Sequence, residues 1–326
     1  MSVPMSFLRT VLGDIPADAV GVCYAHEHLI IDHSFTTFRN PEFLLDSVDA
    51  ACVDIAEFVR AGGRTLIDSM PCGGGRNVRK LAEIAQRTGT NIVCPTGVHL
   101  ALYYAPGHWG GRLNAEQLAS VFIEEIEQGI DYADLNGPRI ERSPHRAGLI
   151  KVASSLNQVD LRERKIMEAA AIAHHATGAP ILTHSEQGTA AMDQVRIFQD
   201  HGVPLQHVVI SHTDRKPDCG YHRELFSAGV MLEYDSAFRW PKDGENHTLE
   251  LVMCAAREGS LGQVVLGMDA ARRKYWHGYG GGPGMDFLLR EFVPALMERG
   301  LTRADIDRIF VENPAAAYSF QPKESL

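Results

Sequence analysis

The chain has 326 residues, 45% hydrophobic and 22% charged, with a formal net charge of -10. That balance belongs to a globular protein with a sizeable core. It argues against a nucleic-acid binder, because phosphate backbones call for clustered cations, and leaves room for a small anionic substrate held by a few local cations. No run reaches the roughly 20 apolar residues of a bilayer-crossing helix, and residues Met1 to Thr10 carry no signal-peptide pattern. The expected setting is therefore the cytoplasm, with no membrane partner. The six cysteines, Cys23, Cys52, Cys72, Cys94, Cys219 and Cys254, are scattered without a C-x-x-C pair. Most are expected to be small buried hydrophobes, without a disulfide framework or a cysteine zinc site.

In chain order, short β-branched runs predict strands at Val20–His26, Arg64–Ser69, Asn91–Gly97, Gly148–Ala153, Pro180–His184, His207–His212, Val230–Tyr234 and Gln263–Asp269. Helical spacing lies between them, at Asp46–Ala61, Asn77–Thr88, Ala115–Gly129, Leu161–Thr177 and Thr189–Gly202. The fourth of these is rich in Ala, Glu, Arg and Met, and Gly178 stands where a C-terminal cap belongs. Strands alternating with helices imply right-handed βαβ units and a parallel sheet. Eight units in this length predict an α/β fold, a (β/α)8 TIM barrel with its site at the C-terminal strand ends. The runner-up, an open doubly wound sheet, lacks a G-x-G-x-x-G after the first strand. No linker divides residues 1–326, so one domain is expected, and the Gly-rich stretches Cys72–Gly75 and Gly278–Gly284 read as mobile βα loops.

The strand ends carry the chemistry. His26 and His28 flank Glu27 at the end of the first strand and project to one side of an extended chain. Alone, such a pair reads equally as two surface histidines. His184 closes the fifth strand run, His212 the sixth, and Asp269 the last. One strand-end histidine reads as a hydrogen-bonded core residue, but two on successive strands with a carboxylate read as a metal site suited to zinc, manganese or cobalt. Lys151 ends the fourth strand, where a cation beside metal ions would be repelled. It is either a lysine that snorkels to solvent or one whose amine has reacted with carbon dioxide to give a bridging carbamate.

The series His26-x-His28, Lys151, His184, His212 and Asp269 resembles the phosphotriesterase-like branch of the amidohydrolase superfamily. The resemblance runs from Thr10-Val11-Leu12-Gly13 through Ala25-His26-Glu27-His28-Leu29 to Glu312-Asn313-Pro314. Ser211-His212-Thr213-Asp214-Arg215 and Gly267-Met268-Asp269 look like segments of its sugar-lactonase members, the phosphofuranose lactonases among them. The resemblance implies two divalent metal ions. His26, His28 and Asp269 would hold the more buried one, His184 and His212 the more exposed one. N6-carboxylated Lys151 and a hydroxide would bridge them. Two cations roughly 3.5–4 Å apart acidify shared water and polarise a substrate oxygen, and Asp269 would serve as general base and then acid. A homodimer is also implied.

For the substrate, Arg272, Arg273 and Lys274 follow the last strand, ahead of Tyr275. Arg215, Lys216, Arg239 and Lys242 follow the sixth and seventh. Singly each reads as solvated surface charge; together they favour a phosphorylated or carboxylated small molecule, because guanidinium forks bind such groups bidentately. His99 is a candidate substrate contact. Tyr103, Tyr104 and Trp109 either wall the pocket or form a subunit contact. His174, His175 and Glu27 are expected to be structural. Val98 stands where many members carry an aromatic residue, which argues against carrying over organophosphate or acyl-homoserine lactone specificity. The favoured reaction is the opening of a sugar-derived γ-lactone. The alternatives are phosphoric ester or amide hydrolysis at the same metals, and a small-molecule binding protein without catalysis.

Overall fold

The computed structural model describes residues 6–241 and 244–320; Lys242, one of the rim cations expected from sequence, lies outside them. The chain opens with an antiparallel hairpin, β1 (Phe7–Thr10) and β2 (Gly13–Pro16). Eight parallel staves follow: β3 (Val22–Glu27), β4 (Gly63–Asp68), a third in two pieces, β5 (Asn91–Val93) and β6 (Pro95–Gly97), then β7 (Leu149–Ser154), β8 (Ile181–Ser185), β9 (Val208–Ser211), β10 (Met231–Tyr234) and β11 (Val264–Leu266). The third stave, expected as one strand, is interrupted at Cys94, whose carbonyl accepts from Gly148 N instead. β3–β5 and β6–β11 each form a continuous parallel ladder. The barrel closes where the amides of Met268 and Asp269 donate to the His26 carbonyl at 3.3 and 2.9 Å.

The five helices expected from sequence form at Val48–Arg60, Val78–Thr88, Ala115–Glu127, Leu161–Thr177 and Ala191–Asp200. Side chains of Ser47, Asn77, Asn114 and Asp160 satisfy their first free amides. Gly178, at φ +76°, ends the longest. Two more helices, Cys219–Ala228 and His247–Arg257, join later staves. Cys219 and Cys254 link them in a disulfide, Cα atoms 6.4 Å apart. This pair is the exception to the expectation that most cysteines are small buried hydrophobes without a disulfide framework: residues 35 apart in sequence are brought together because successive helices of the outer ring pack side by side. Cys23, Cys72 and Cys94 are buried thiols, as expected. No helix among the described residues is long and apolar enough to cross a membrane.

Side chains alternate along each stave between two apolar layers. Leu149, Leu182, Val209, Met231 and Val265 fill the barrel interior, and Ile150, Ile181, Ile210, Leu232 and Leu266 pack outward. One step above the interior layer come Lys151, His184, Ser211, Glu233 and Gly267, so the same alternation turns polar groups inward. The hairpin lies at the opposite end: Val11 N donates to the Ile92 carbonyl, and the Arg9 backbone packs on Gly148, just before β7.

Candidate metal centre and active site

Each strand-end residue reaches the barrel mouth by a local backbone device. Cys23 and Ala25 point into the barrel, so simple alternation would send His26 outward. The β3–β4 register shifts between Tyr24 and Glu27, and this irregularity turns the His26 ring inward. His212 and Asp269 sit at φ +65° and +45°, left-handed conformations that re-aim a side chain at the end of its strand and are rare for non-glycine residues. Gly267 permits the closure beneath them, since a Cβ there would stand 2.7 Å from both N and O of His26. Gly97, at φ +108°, lies so close to the Lys151 carbonyl that any Cβ would collide with it.

The imidazoles form a chain across the mouth. Ring centroids are 5.5 Å apart for His26 and His28, 4.8 Å for His26 and His212, 4.4 Å for His184 and His212, and 4.7 Å for His99 and His184. Donor atoms of His26, His28 and Asp269 all lie within 4.8 Å of one another, as do those of His26, His212, Glu233 and Asp235. The Asp269 Oδ1 is 3.2 Å from His28 Nε2 and 3.8 Å from His26 Nε2. Burial drives His26, His184 and His212 below the usual imidazole range, His212 to about 3, so the rings stay neutral and keep a lone pair. Burial would raise Asp269, but Arg239, His28 and Arg215 outweigh it and hold the carboxylate ionised.

Lys151 is 1% exposed and its Nζ has no hydrogen-bond partner. Burial lowers it to about 8, against the pull of Glu233, Asp269 and Asp235. The snorkelling lysine expected as one reading is therefore not what the structure contains. His28 Nδ1 and Glu233 Oε1 are likewise buried without partners. Three orphaned polar atoms beside neutral imidazoles and an ionised carboxylate fit a missing group that takes nitrogen and oxygen donors, as divalent metals do. A carboxylated Lys151 fits the same observation, because it would replace an unpaired buried ammonium with an anion beside those metals.

Above this cluster opens a cleft of about 580 Å³, lined among others by His99, Tyr103, Tyr104, Arg215, Arg239, Arg272 and Tyr275. The expected rim cations separate sharply. Arg215 donates to Asp235 at 2.9 Å and to Asp269 at 2.6 Å; Arg239 contacts both as well. Arg272 lines the cleft with its guanidinium 4.5 Å above the Phe43 ring and no carboxylate partner among the described residues. Arg273, expected beside it, instead turns to the Leu44 carbonyl and Asp46, because the tight turn Arg273–Tyr275 sends consecutive side chains apart. Lys216 lies over Tyr221 and Trp109 packs against the core, both outside the lining.

His99 faces the cleft with Nδ1 accepting from Leu100 N at 2.7 Å. Tyr104 steadies it, accepting from His99 N and donating to the Cys72 carbonyl. Glu27 accepts from the amides of Met268 and Ala270, tying the first strand to the last; His174 and His175 bond to nearby carbonyls away from the cleft. The Gly-rich stretches expected to be mobile are anchored, Gly73 N to Asp134 and Gly278 N to Asp54. Asp54, Glu57 and His277 form a further donor cluster, but it serves this latch: His277 N and Gly278 N both donate to Asp54, and Glu57 takes His277 Nδ1 at 2.6 Å.

Sequence reasoning missed Glu233, Asp235 and Glu186. Glu186 takes His184 Nε2 at 2.9 Å, and that bond is the main reason its carboxyl drops to about 2. The signal for the other two was present: Glu233 and Asp235 alternate with Leu232 and Tyr234 in an otherwise apolar run.

Comparison with known proteins finds relatives along nearly the whole chain. The model of the phosphotriesterase family matches residues 6–318. A phospho-furanose lactonase of Mycoplasmopsis agalactiae is 31% identical over 323 residues, covering 96% of this chain and 92% of that protein. The crystal structure of a lactonase from Listeria monocytogenes superposes with a TM-score of 0.89 at 29% identity, covering 97% of this chain and all of that one. A phosphotriesterase homology protein from Escherichia coli, solved with phosphate in its active site, superposes at 0.84 with 29% identity, covering 92% and 99%.

Proposed function

The chain belongs to the phosphotriesterase family, hydrolases with a binuclear metal centre, and on that premise we propose that it opens a sugar-derived lactone, with the phosphorylated form preferred. The observation that carries this reading is Arg272, a cation on the cleft wall, stacked on Phe43 and uncommitted to any carboxylate among the described residues. An anionic group on the substrate supplies the missing partner. Relatives named for phospho-furanose lactones, and the phosphate bound in the Escherichia coli structure, support the same choice.

In this reading His26, His28 and Asp269 would hold one divalent cation and His184 and His212 the other, with carboxylated Lys151 as a further anionic ligand. Bound there, divalent zinc, manganese or cobalt would polarise the lactone carbonyl and acidify a water for attack. The chain's own residues do the rest. Asp269 accepts the water's proton on its carboxylate and returns it to the ring oxygen as the C–O bond breaks, giving the open hydroxy acid. Arg215 and Arg239 hold Asp269 in place and, by lowering its basicity, favour the return of that proton. His99 and Tyr103 close the side of the cleft against water, and Tyr275 faces the substrate from the last loop. We take the whole chain as one hydrolase domain, working in the cytoplasm as a homodimer.

The test is turnover by metal-loaded protein of paired γ-lactones with and without a terminal phosphate, alongside a phosphotriester and an amide, read as acid released. The account expects the phosphorylated lactone to lead in kcat/KM by at least about tenfold, roughly 1.4 kcal/mol of transition-state binding. A lead by the triester or amide, or no lactone opening at all, would overturn it.

A further inference from the structure

We propose that the end of β10 carries two positioning residues for the metal centre, Glu233 within the strand setting the imidazole of His26 and Asp235, just past its last residue, that of His212. This rests on reading the strand-end cluster as a metal centre. Both carboxylates are fully buried and, two residues apart at the end of β10, point to the same barrel interior while Leu232 and Tyr234 pack outward. Glu233 Oε2 lies 3.4 Å from His26 Nδ1, beside Ser211 Oγ at 3.0 Å from the same nitrogen. Asp235 takes a short hydrogen bond from His212 Nδ1 and also binds Arg215 and Arg239, tying the imidazole to the rim cations.

The His212 Nδ1 is committed to Asp235, and the His26 Nδ1 is bound by Ser211 Oγ with the Glu233 carboxyl beside it, which leaves Nε2 of each ring as the nitrogen available to a metal. That fixes tautomer and ring orientation together and makes the imidazole a better donor. A stave built only for stability would not bury two carboxylates on one face, because each costs desolvation free energy that an apolar side chain avoids. Glu233 still has one oxygen with no partner, so structural hydrogen bonding does not account for it.

The experiment is competition of the full-length protein with a chelating dye for zinc, comparing wild type with Glu233→Gln and Asp235→Asn. The metal-free variants are also followed by 15N spectra of their histidines. Each variant is expected to bind zinc about 10–100-fold more weakly and to show mixed tautomers at its own imidazole. Affinities within about threefold of wild type, with a single Nδ1–H tautomer retained, would overturn the proposal. If one variant does not fold, the other decides at its own ring, and Glu233→Asp, which keeps the charge, is expected to retain more affinity than Glu233→Gln. Wild type that binds no zinc would instead sink the metal centre itself.

Discussion

Two buried charge clusters flank the cleft, and they differ in how their polar atoms are satisfied. Arg76 is wholly buried, yet its guanidinium meets both oxygens of Glu125 at 2.7 and 2.8 Å, Asp134 at 2.9 Å and the Pro95 carbonyl at 2.6 Å. Asp134 in turn fixes Gly73 N, and Glu125 takes the Cys72 thiol. At the strand ends, by contrast, Lys151 Nζ, His28 Nδ1 and Glu233 Oε1 are as deeply buried and have no partner. The complete network holds a loop against the barrel; the strand-end atoms are nitrogen and oxygen donors placed where they can converge on a metal. Burial of charge alone therefore does not identify the functional cluster. Convergence of unpartnered ionisable atoms on neutral imidazoles and an ionised carboxylate does, since isolated atoms such as Tyr24 Oη and Ser69 Oγ are buried without partners as well.

The largest effect expected from this contrast is on the complete network. Arg76→Met leaves two buried carboxylates uncompensated and should destabilise the protein by about 3–5 kcal/mol, read by denaturant unfolding; a loss under about 1 kcal/mol would erase the distinction. Next, Lys151→Met should do the reverse in metal-free protein. Removing an unsatisfied buried ammonium is expected to raise stability by about 1–3 kcal/mol while abolishing hydrolysis, and a destabilised variant would mean that Lys151 has a structural partner after all.

The pH dependence of stability sharpens the comparison further. Burial raises Asp134 from its ordinary 3.8 to about 7, beyond what Arg76 recovers. Between these values the folded state holds a proton that the unfolded chain has released, so this group's contribution to stability falls as pH rises from about 4 to about 7. Asp134→Asn should flatten that part of the unfolding profile, and an unchanged slope would remove Asp134 from the account. The smallest pair of effects separates neighbours on the rim. Arg272→Ala should cut kcat/KM for a phosphorylated lactone about 10–100-fold, or ~1.4–2.7 kcal/mol. Arg273→Ala should leave it within about twofold and cost only ~0.5–1 kcal/mol of stability through its half-exposed ion pair with Asp46. The reverse ranking would reverse the assignment of the rim.

Much of the fold was legible because it depends on period. Runs such as Val208–Ser211 and Ile181–Ser185 are buried on both faces, and their apolar continuity announces a parallel stave. The residues at the mouth were legible for the same reason: histidine and carboxylate interrupt that continuity at matching points. What stayed hidden depends on single backbone angles or on packing between distant segments. Nothing in Arg272-Arg273 says which guanidinium faces the cleft; the turn at Arg273–Tyr275 decides it. The break at Cys94 reflects a bond to Gly148, 54 residues on. The Cys219–Cys254 pair reflects adjacency of two helices in the outer ring. Glu233 and Asp235 were visible as letters, but a carboxylate in a strand acquires meaning only when an imidazole from another strand stands against it.

The most direct test of the central claim, that the incomplete cluster is the functional one, is metal stoichiometry by equilibrium dialysis and elemental analysis. Wild type, Lys151→Met and Arg76→Met would be dialysed under bicarbonate. The account predicts two divalent ions per chain for wild type, fewer than two for Lys151→Met, and two for whatever fraction of Arg76→Met remains folded. Fewer than two ions in wild type, or a full complement in Lys151→Met, would contradict it.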